Sequence, residues 1–145
     1  MTAREPAKRV LAEGHAFDAF DWREVEVDGS DLALEMEVTP FVVNSSGALQ
    51  GGLMATLADM VAGSALVKGE GAYQSAFTSE LHISFLAGAR VGPVRATAHV
   101  VRRGKRTAVV RVEMVDRGAD DLPVATCTLT FSVRRALSGD AGLGV

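Results

Sequence analysis

The stretch that decides the fold is NSSGALQGGLMATLAD, residues 44–59, in which a polar, glycine-bearing loop runs directly into an apolar helix. From Leu53 to Val67 every residue except Asp59 is apolar, small or hydroxylic, so this helix has no polar face and we expect it to be buried on nearly all sides. Asp59 would be buried with it. An ionised carboxylate is costly to bury alone, and no basic residue lies one helical turn away.

The start of this helix, Gly51-Gly52, can bind a ligand through its backbone. Glycine lets another molecule approach closely, and the first amides of a helix have no internal partner and carry the positive end of the helix dipole. Such an end can hold an anion, or the carbonyl oxygen that becomes an anion during acyl transfer. Asp59, two turns on, could then act as base or nucleophile. From the residues alone, a close-packed turn with a buried, hydrogen-bonding acid is an equal alternative.

The rest of the chain alternates as β-strands do. Segments 21–27 and 31–38, joined by Asp28-Gly29-Ser30, predict a β-hairpin before the loop. After the helix, which we expect to end at 68–71, strands are predicted at 73–87, 91–103, 106–116 and 123–134. In the last, Ala125, Cys127, Leu129, Phe131 and Val133 share one face, and Cys127 is expected to be inert in the core. The pattern predicts an α+β fold, an antiparallel sheet wrapped around a central helix.

Length and composition favour one ordinary globular domain. The 145 residues are 48% hydrophobic with a net charge of −3, which gives no charge excess for nucleic acid or an anionic membrane. No apolar run reaches membrane-spanning length and residues 1–14 lack a signal-peptide core, so we expect a cytoplasmic protein. We divide the chain into an N-terminal helical extension at 1–20, with its helix at 6–13, a domain at 21–135 and a disordered tail at 136–145.

One set of residues resembles the signature of a known family: Asn44, Gly47, Leu49, Gln50, Gly51, Gly52, Leu57 and Asp59. Their ungapped spacing is similar to that of hotdog-fold acyl-CoA thioesterases of the PaaI-like and 4-hydroxybenzoyl-CoA type, and the similarity runs from about Phe41 to Val133. The resemblance implies the hotdog fold, a homodimer or dimer of dimers in which sheets join, and hydrolysis of an acyl-CoA to free acid and CoA. It implies no metal or cofactor, with CoA present only as part of the substrate.

The resemblance also implies roles for the site residues. The amide of Gly51, with Gly52 beside it, would bind and polarise the thioester carbonyl. Asp59 would be nucleophile or general base, Asn44 would place substrate or water, and Thr78 would assist from the next strand. The family usually has histidine where this chain has Gln50, which can hydrogen-bond but cannot carry a proton.

The resemblance implies that the site is shared between two chains, with Asn44 and Gly51 from one and Thr78 and Asp59 from the other, and helix geometry adds a reason. Eight residues on one helix separate Gly51 from Asp59 by about 12 Å, too far to grip one carbonyl. Alternation puts Thr78 on the polar strand face with Glu80 and His82, so it reaches the site only at a strand end, a bulge or a subunit boundary.

Several alternatives remain open. Asn44 can instead form an Asx turn that caps its loop. The basic hairpin tip formed by Arg102, Arg103, Lys105 and Arg106 can receive the CoA phosphates or be a solvated turn. A non-catalytic acyl-CoA or acyl-carrier binding domain is a second hypothesis, to which Gln50 lends weight. A thioester hydratase or dehydratase is a third, but no suitable histidine precedes the helix, and His82 and His99 are interpreted as solvated or interface residues.

Overall fold

The computed structural model describes residues 13–136. The helix predicted at 6–13 and the tail predicted at 136–145 lie outside this range, apart from one residue of each. Glu13 and Gly14 form a turn, and a short 3-10 helix follows at Ala16–Ala19.

One α-helix and six strands make up the rest of the described fold. The helix α1 spans Gly51–Val67, and the strands are β1 Trp22–Val25, β2 Leu32–Met36, β3 Ser75–Phe85, β4 Val94–Arg103, β5 Thr107–Asp116 and β6 Leu122–Arg134. All neighbouring strands pair antiparallel, in the order β1-β2-β4-β5-β6-β3. This confirms the predicted α+β architecture, with β1 to β5 somewhat shorter than the sequence pattern indicates and β6 longer by one residue. Within the described range, no helix is long and apolar enough to cross a membrane.

The hairpin before the loop forms as predicted. Gly29 has a φ of +78°, which glycine adopts without strain, and the Ser30 amide donates to the Val27 carbonyl at 3.1 Å. The turn therefore sets the register of β1 against β2.

The core lies between the sheet and one side of α1. On β6, Cys127, Leu129 and Phe131 are buried as the alternation predicts. A Cβ built at Gly63 of α1 would lie 3.7 Å from Cε1 of Phe131, so the glycine brings helix and sheet close together. Burial raises the pKa of the Cys127 thiol to about 11, with a further contribution from Glu113.

The expectation that α1 is buried on nearly all sides is wrong for a single chain. The sheet covers Met54, Leu57, Ala58, Val61, Ala62, Ala65 and Leu66. The opposite stripe, which includes Gly52, Thr56 and Asp59, is half-buried or exposed. A six-stranded sheet reaches around only part of a helix, so Asp59 is half-buried rather than enclosed.

Candidate active site

Asp59 and Thr78 form a hydrogen-bonded pair within one chain. The Thr78 hydroxyl, Oγ1, donates to Asp59 Oδ1 at 2.5 Å. Asp59 lies in the middle of α1 and Thr78 near the start of β3, the strand at one edge of the sheet. A hydroxyl that donates to a carboxylate oxygen fixes the orientation of that carboxylate.

A β-bulge in β3 directs Thr78 towards the helix. Thr78 pairs with Phe131 and Glu80 pairs with Thr130, so Ser79 is an extra residue in β3. Residues that face each other across an antiparallel pair share a side of the sheet, and Phe131 is buried against α1. The expectation that Thr78 shares the polar face with Glu80 and His82 is therefore wrong, because the bulge resets the alternation. Of the routes that the sequence left to Thr78, the structure uses the bulge.

Asn44 organises the loop that leads to α1. Its Oδ1 accepts hydrogen bonds from Ser46 N at 3.0 Å, Ser46 Oγ at 2.7 Å and Ala48 N at 3.2 Å. These bonds form the Asx turn that the sequence left open as an alternative role for Asn44, and they commit the side-chain oxygen to the loop. Among the hydrogen bonds of the described residues none uses Nδ2, so the amide group can still donate to a ligand.

The start of α1 presents the backbone amides of Gly51 and Gly52. Leu53 and Met54 both donate to the Gln50 carbonyl at 3.0 Å, and the amides of Gly51 and Gly52 precede these first helical bonds. A Cβ at Gly51 would lie 3.2 Å from Cζ of Phe85, whereas at Gly52 it would meet nothing within 4 Å. Gln50 is exposed and its side chain does not cap the helix.

A cleft of about 350 Å³ brings Asn44 and Gly51 together with residues that sequence reasoning missed. Its lining includes Phe85, Leu86 and Arg90. Asp59 and Thr78 do not line it. In one chain the predicted residues thus form two clusters: the amide cluster, Asn44 with Gly51, and the acid cluster, Asp59 with Thr78.

Arg90 and Asp116 make hydrogen bonds that hold the loops next to the amide cluster. The Arg90 guanidinium donates to the Ser46 carbonyl, and buried Asp116 accepts backbone N–H groups from residues 90–92. Burial alone would raise the pKa of Asp116, but hydrogen bonds from Val91, Gly92, Arg90 and Gly118 lower it below its ordinary value. Neither residue belongs to a sequence motif: Arg90 lies in the loop between β3 and β4, and Asp116 is the last residue of β5.

The basic hairpin tip is divided between two environments. Arg103 is half-buried and donates to the carbonyls of Ala65 at 3.2 Å and Gly71 at 3.3 Å, so it is committed to the C-terminal end of α1. Arg102, Lys105 and Arg106 are exposed. The 17 residues of α1 separate this end from Gly51 by about 25 Å. The tip is therefore remote from the amide cluster of its own chain.

His82 was interpreted from the sequence as a solvated or interface residue. His82 is exposed, with Nε2 at 3.8 Å from Glu80 Oε2, as a solvated or interface residue would be. Among residues 13–136, no group of His, Cys, Asp and Glu side chains is arranged to hold a metal ion.

Comparison with known proteins identifies the family. The model of the "Thioesterase superfamily" matches residues 46–122. A 1,4-dihydroxy-2-naphthoyl-CoA hydrolase of Listeria monocytogenes is 29% identical over 111 residues, which cover 77% of this chain and 90% of that protein.

Two solved structures agree with this family. PaaI of Escherichia coli, from the phenylacetic acid degradation operon, superposes with a TM-score of 0.71 at 25% identity, covering 81% of this chain and 82% of its own. BH2602 of Bacillus halodurans, solved with CoA, gives 0.63 at 32% identity, covering 74% and 70%. These neighbours confirm the hotdog fold. Since the family model matches more than half of the sequence, the chain belongs to the thioesterase superfamily.

Proposed function

We propose that this protein hydrolyses acyl-CoA thioesters to the free acid and CoA. The observation that carries the proposal is the Thr78–Asp59 hydrogen bond, which orients a carboxylate on the helix that begins with Gly51. Support for the substrate class comes from the relatives, which include a naphthoyl-CoA hydrolase and a structure solved with CoA.

The amide cluster would bind the thioester carbonyl. The Gly51 N–H, at the positive end of α1, donates to the carbonyl oxygen and stabilises the negative charge that develops there. Gly52 keeps the approach open, because no atom fills the space where its side chain would be. Asn44 Nδ2 is free to place the substrate or a water molecule, while its oxygen holds the loop.

Asp59 of the acid cluster would act on the thioester as general base or as nucleophile. As general base, Asp59 takes a proton from water while the water oxygen bonds to the thioester carbon. The tetrahedral intermediate then breaks its C–S bond, and the CoA thiolate takes up a proton. As nucleophile, an Asp59 oxygen bonds to that carbon and expels the thiolate, leaving a mixed anhydride that water hydrolyses. Both routes need the same orientation of the carboxylate, which the Thr78 hydroxyl supplies.

Two chains would build each site in a homodimer or a dimer of dimers. Gly51 and Asp59 are about 12 Å apart along one helix, so a carbonyl held at Gly51 is out of reach of its own Asp59. The open stripe of α1 contains Asp59, and the neighbouring edge strand β3 exposes Phe77 and Phe85. Apolar side chains on an unpaired edge are suited to a partner, and a partner there would deliver its Asp59 to the carbonyl.

Release of CoA thiol from a panel of acyl-CoAs tests the function. We expect turnover of at least one aromatic or aliphatic substrate by the wild type, and a loss of at least about a hundredfold in kcat for Asp59→Asn and Asp59→Ala, the scale of a lost general base. Near-normal hydrolysis by either folded variant would reject the role of Asp59.

A non-catalytic acyl-CoA or acyl-carrier binding domain is the alternative, favoured by Gln50 in place of histidine. It predicts that a nonhydrolysable CoA thioether or an acyl-carrier protein binds, while no thioester in the panel is turned over.

A further inference from the structure

Asp116 is a buried carboxylate that the proposed reaction does not use. It ends β5 and is 1% exposed. Its Oδ2 accepts the backbone N–H groups of Arg90 and Val91, each at 3.0 Å, and its Oδ1 accepts that of Gly92 at 2.7 Å. One side chain therefore fixes three successive residues of the loop between β3 and β4.

That loop in turn holds the segment in front of α1. The Leu49 amide donates to the Ala89 carbonyl at 2.8 Å, and the Arg90 guanidinium donates to the Ser46 carbonyl. Ala48 is bound to Asn44, whose backbone N–H donates to the Ala48 carbonyl at 2.7 Å. These contacts end two residues before Gly51.

We propose that Asp116 is a positioning residue for the amide cluster. By fixing residues 90–92 it places residues 46–49, and through them Asn44 and the Gly51 amide. Asp116 does not line the cleft, so it touches no substrate. The acid cluster is held separately, by α1 and the pairing of β3 with β6. This inference rests on the proposed thioesterase function and on sites shared between chains.

Asp116→Asn is the informative substitution. Asparagine keeps the size of the side chain but turns one acceptor into an NH₂ group that faces backbone N–H donors. We expect kcat to fall about tenfold with KM changed less than about twofold, because a small displacement of a carbonyl-binding amide lowers the rate more than the affinity. Arg90→Met, at an exposed side chain, interrupts the same chain of contacts one step later and serves if Asp116→Asn does not fold.

Two heterodimers with the same mutations separate positioning from general damage. In the cis form, one chain carries Asp116→Asn and Asp59→Ala and the other is wild type, so the remaining acid faces a loosened amide cluster. In the trans form, one chain carries Asp116→Asn and the other Asp59→Ala, so the remaining acid faces an intact amide cluster. Each is isolated with two different affinity tags.

We expect the trans heterodimer to be about tenfold more active than the cis heterodimer. Equal activities would show that Asp116 is merely structural and would overturn the proposal. Higher activity of the cis form would place the effect on the chain that supplies Asp59, and would overturn it as well.

Amide hydrogen exchange gives a readout that does not depend on activity. Leu129 in β6 reports any loss of global stability in Asp116→Asn, and the Leu49 amide should accelerate at least about tenfold more than Leu129 does. Exchange at Leu49 that accelerates no more than exchange at Leu129 would refute the proposal. Wild-type inactivity towards every thioester would instead reject the proposed function, and the exchange at Leu49 would still decide whether Asp116 places the loop.

Discussion

The Thr78 hydroxyl lies 2.5 Å from Asp59 Oδ1 and donates a hydrogen bond to it, across the gap between β3 and α1 of the same chain. The bond occupies one carboxylate oxygen and leaves the second for the reaction. It also assigns both residues to the same half of the proposed shared site, as the resemblance implies. The opposite half, with Gly51, is built from different elements, the loop at 44–50 and the segment at 85–92.

Thr78→Val should lower kcat by about tenfold to a hundredfold, because a hydrogen bond to a charged group contributes about 1.5–3 kcal/mol. Valine keeps the branched shape and removes only the hydroxyl, so KM should change little, and the thermal midpoint should fall while the protein stays folded at the assay temperature. Thr128→Val, on the exposed face of β6, is the matched control and should retain full activity. Full activity of Thr78→Val would remove the hydroxyl from the mechanism.

Gln50→His should leave activity within about tenfold. The Gln50 side chain makes no capping bond and is exposed, so we assign it at most an orienting hydrogen bond of about 1 kcal/mol and no proton transfer. Steady-state kinetics on the best substrate measures this. A complete loss in a folded protein would reveal a specific role for the glutamine.

The residues of the basic hairpin tip should fall into two groups, one that affects substrate binding and one that affects stability. Replacing Arg102, Lys105 and Arg106 by Gln should raise KM for acyl-CoA more than it lowers kcat, and the effect should shrink with salt. Arg103→Gln alone should lower the free energy of unfolding by about 1 kcal/mol, because its bonds to the Ala65 and Gly71 carbonyls are lost. An unchanged KM at low salt would leave the exposed cations as a solvated turn.

Asp116 should make stability depend on acidity. Its pKa is lower in the folded protein than the ordinary aspartate value of about 4, so its stabilising contribution is present above that pH and is lost as the pH falls through the folded value. The difference in unfolding free energy between wild type and Asp116→Asn should therefore be largest near pH 7 and shrink below about pH 4. Urea unfolding at several pH values measures it, with exposed Asp28→Asn as control. A difference that stays constant with pH would contradict the assignment.

The sequence predicted the local elements well and the long-range contacts poorly. The glycine pair and the apolar run were enough for α1, because both signals lie within the helix itself. The sequence predicted the wrong sheet face for Thr78. The bulge at Ser79 arises from the pairing of β3 with β6, and the alternation of polar and apolar residues does not reveal it. The link from Asp116 to Arg90 joins residues 26 positions apart, which no local pattern reveals. The sequence also did not predict that one side of α1 is open in a single chain. Apolar residues indicate that a surface is buried, but not whether the same chain or a partner covers it.

Subunit complementation should show that two chains share each site. Gly51→Pro removes the amide that would hold the carbonyl, and proline is tolerated at the first position of a helix. The backbone of Gln50, with φ −51° and ψ 130°, already suits a residue before proline. The ring would press on Phe85, which is 55% exposed and can move. The variant should therefore fold and be inactive.

Inactive Gly51→Pro and inactive Asp59→Ala chains are then mixed, unfolded and refolded together. About half of the dimers should be mixed, each with one intact site of two, which restores about a quarter of wild-type activity. Each variant refolded alone should remain inactive. If mixed dimers form and the mixture is still inactive, Asp59 must act within its own chain, and the carbonyl must bind at a position other than the Gly51 amide, because the two are too far apart on one helix.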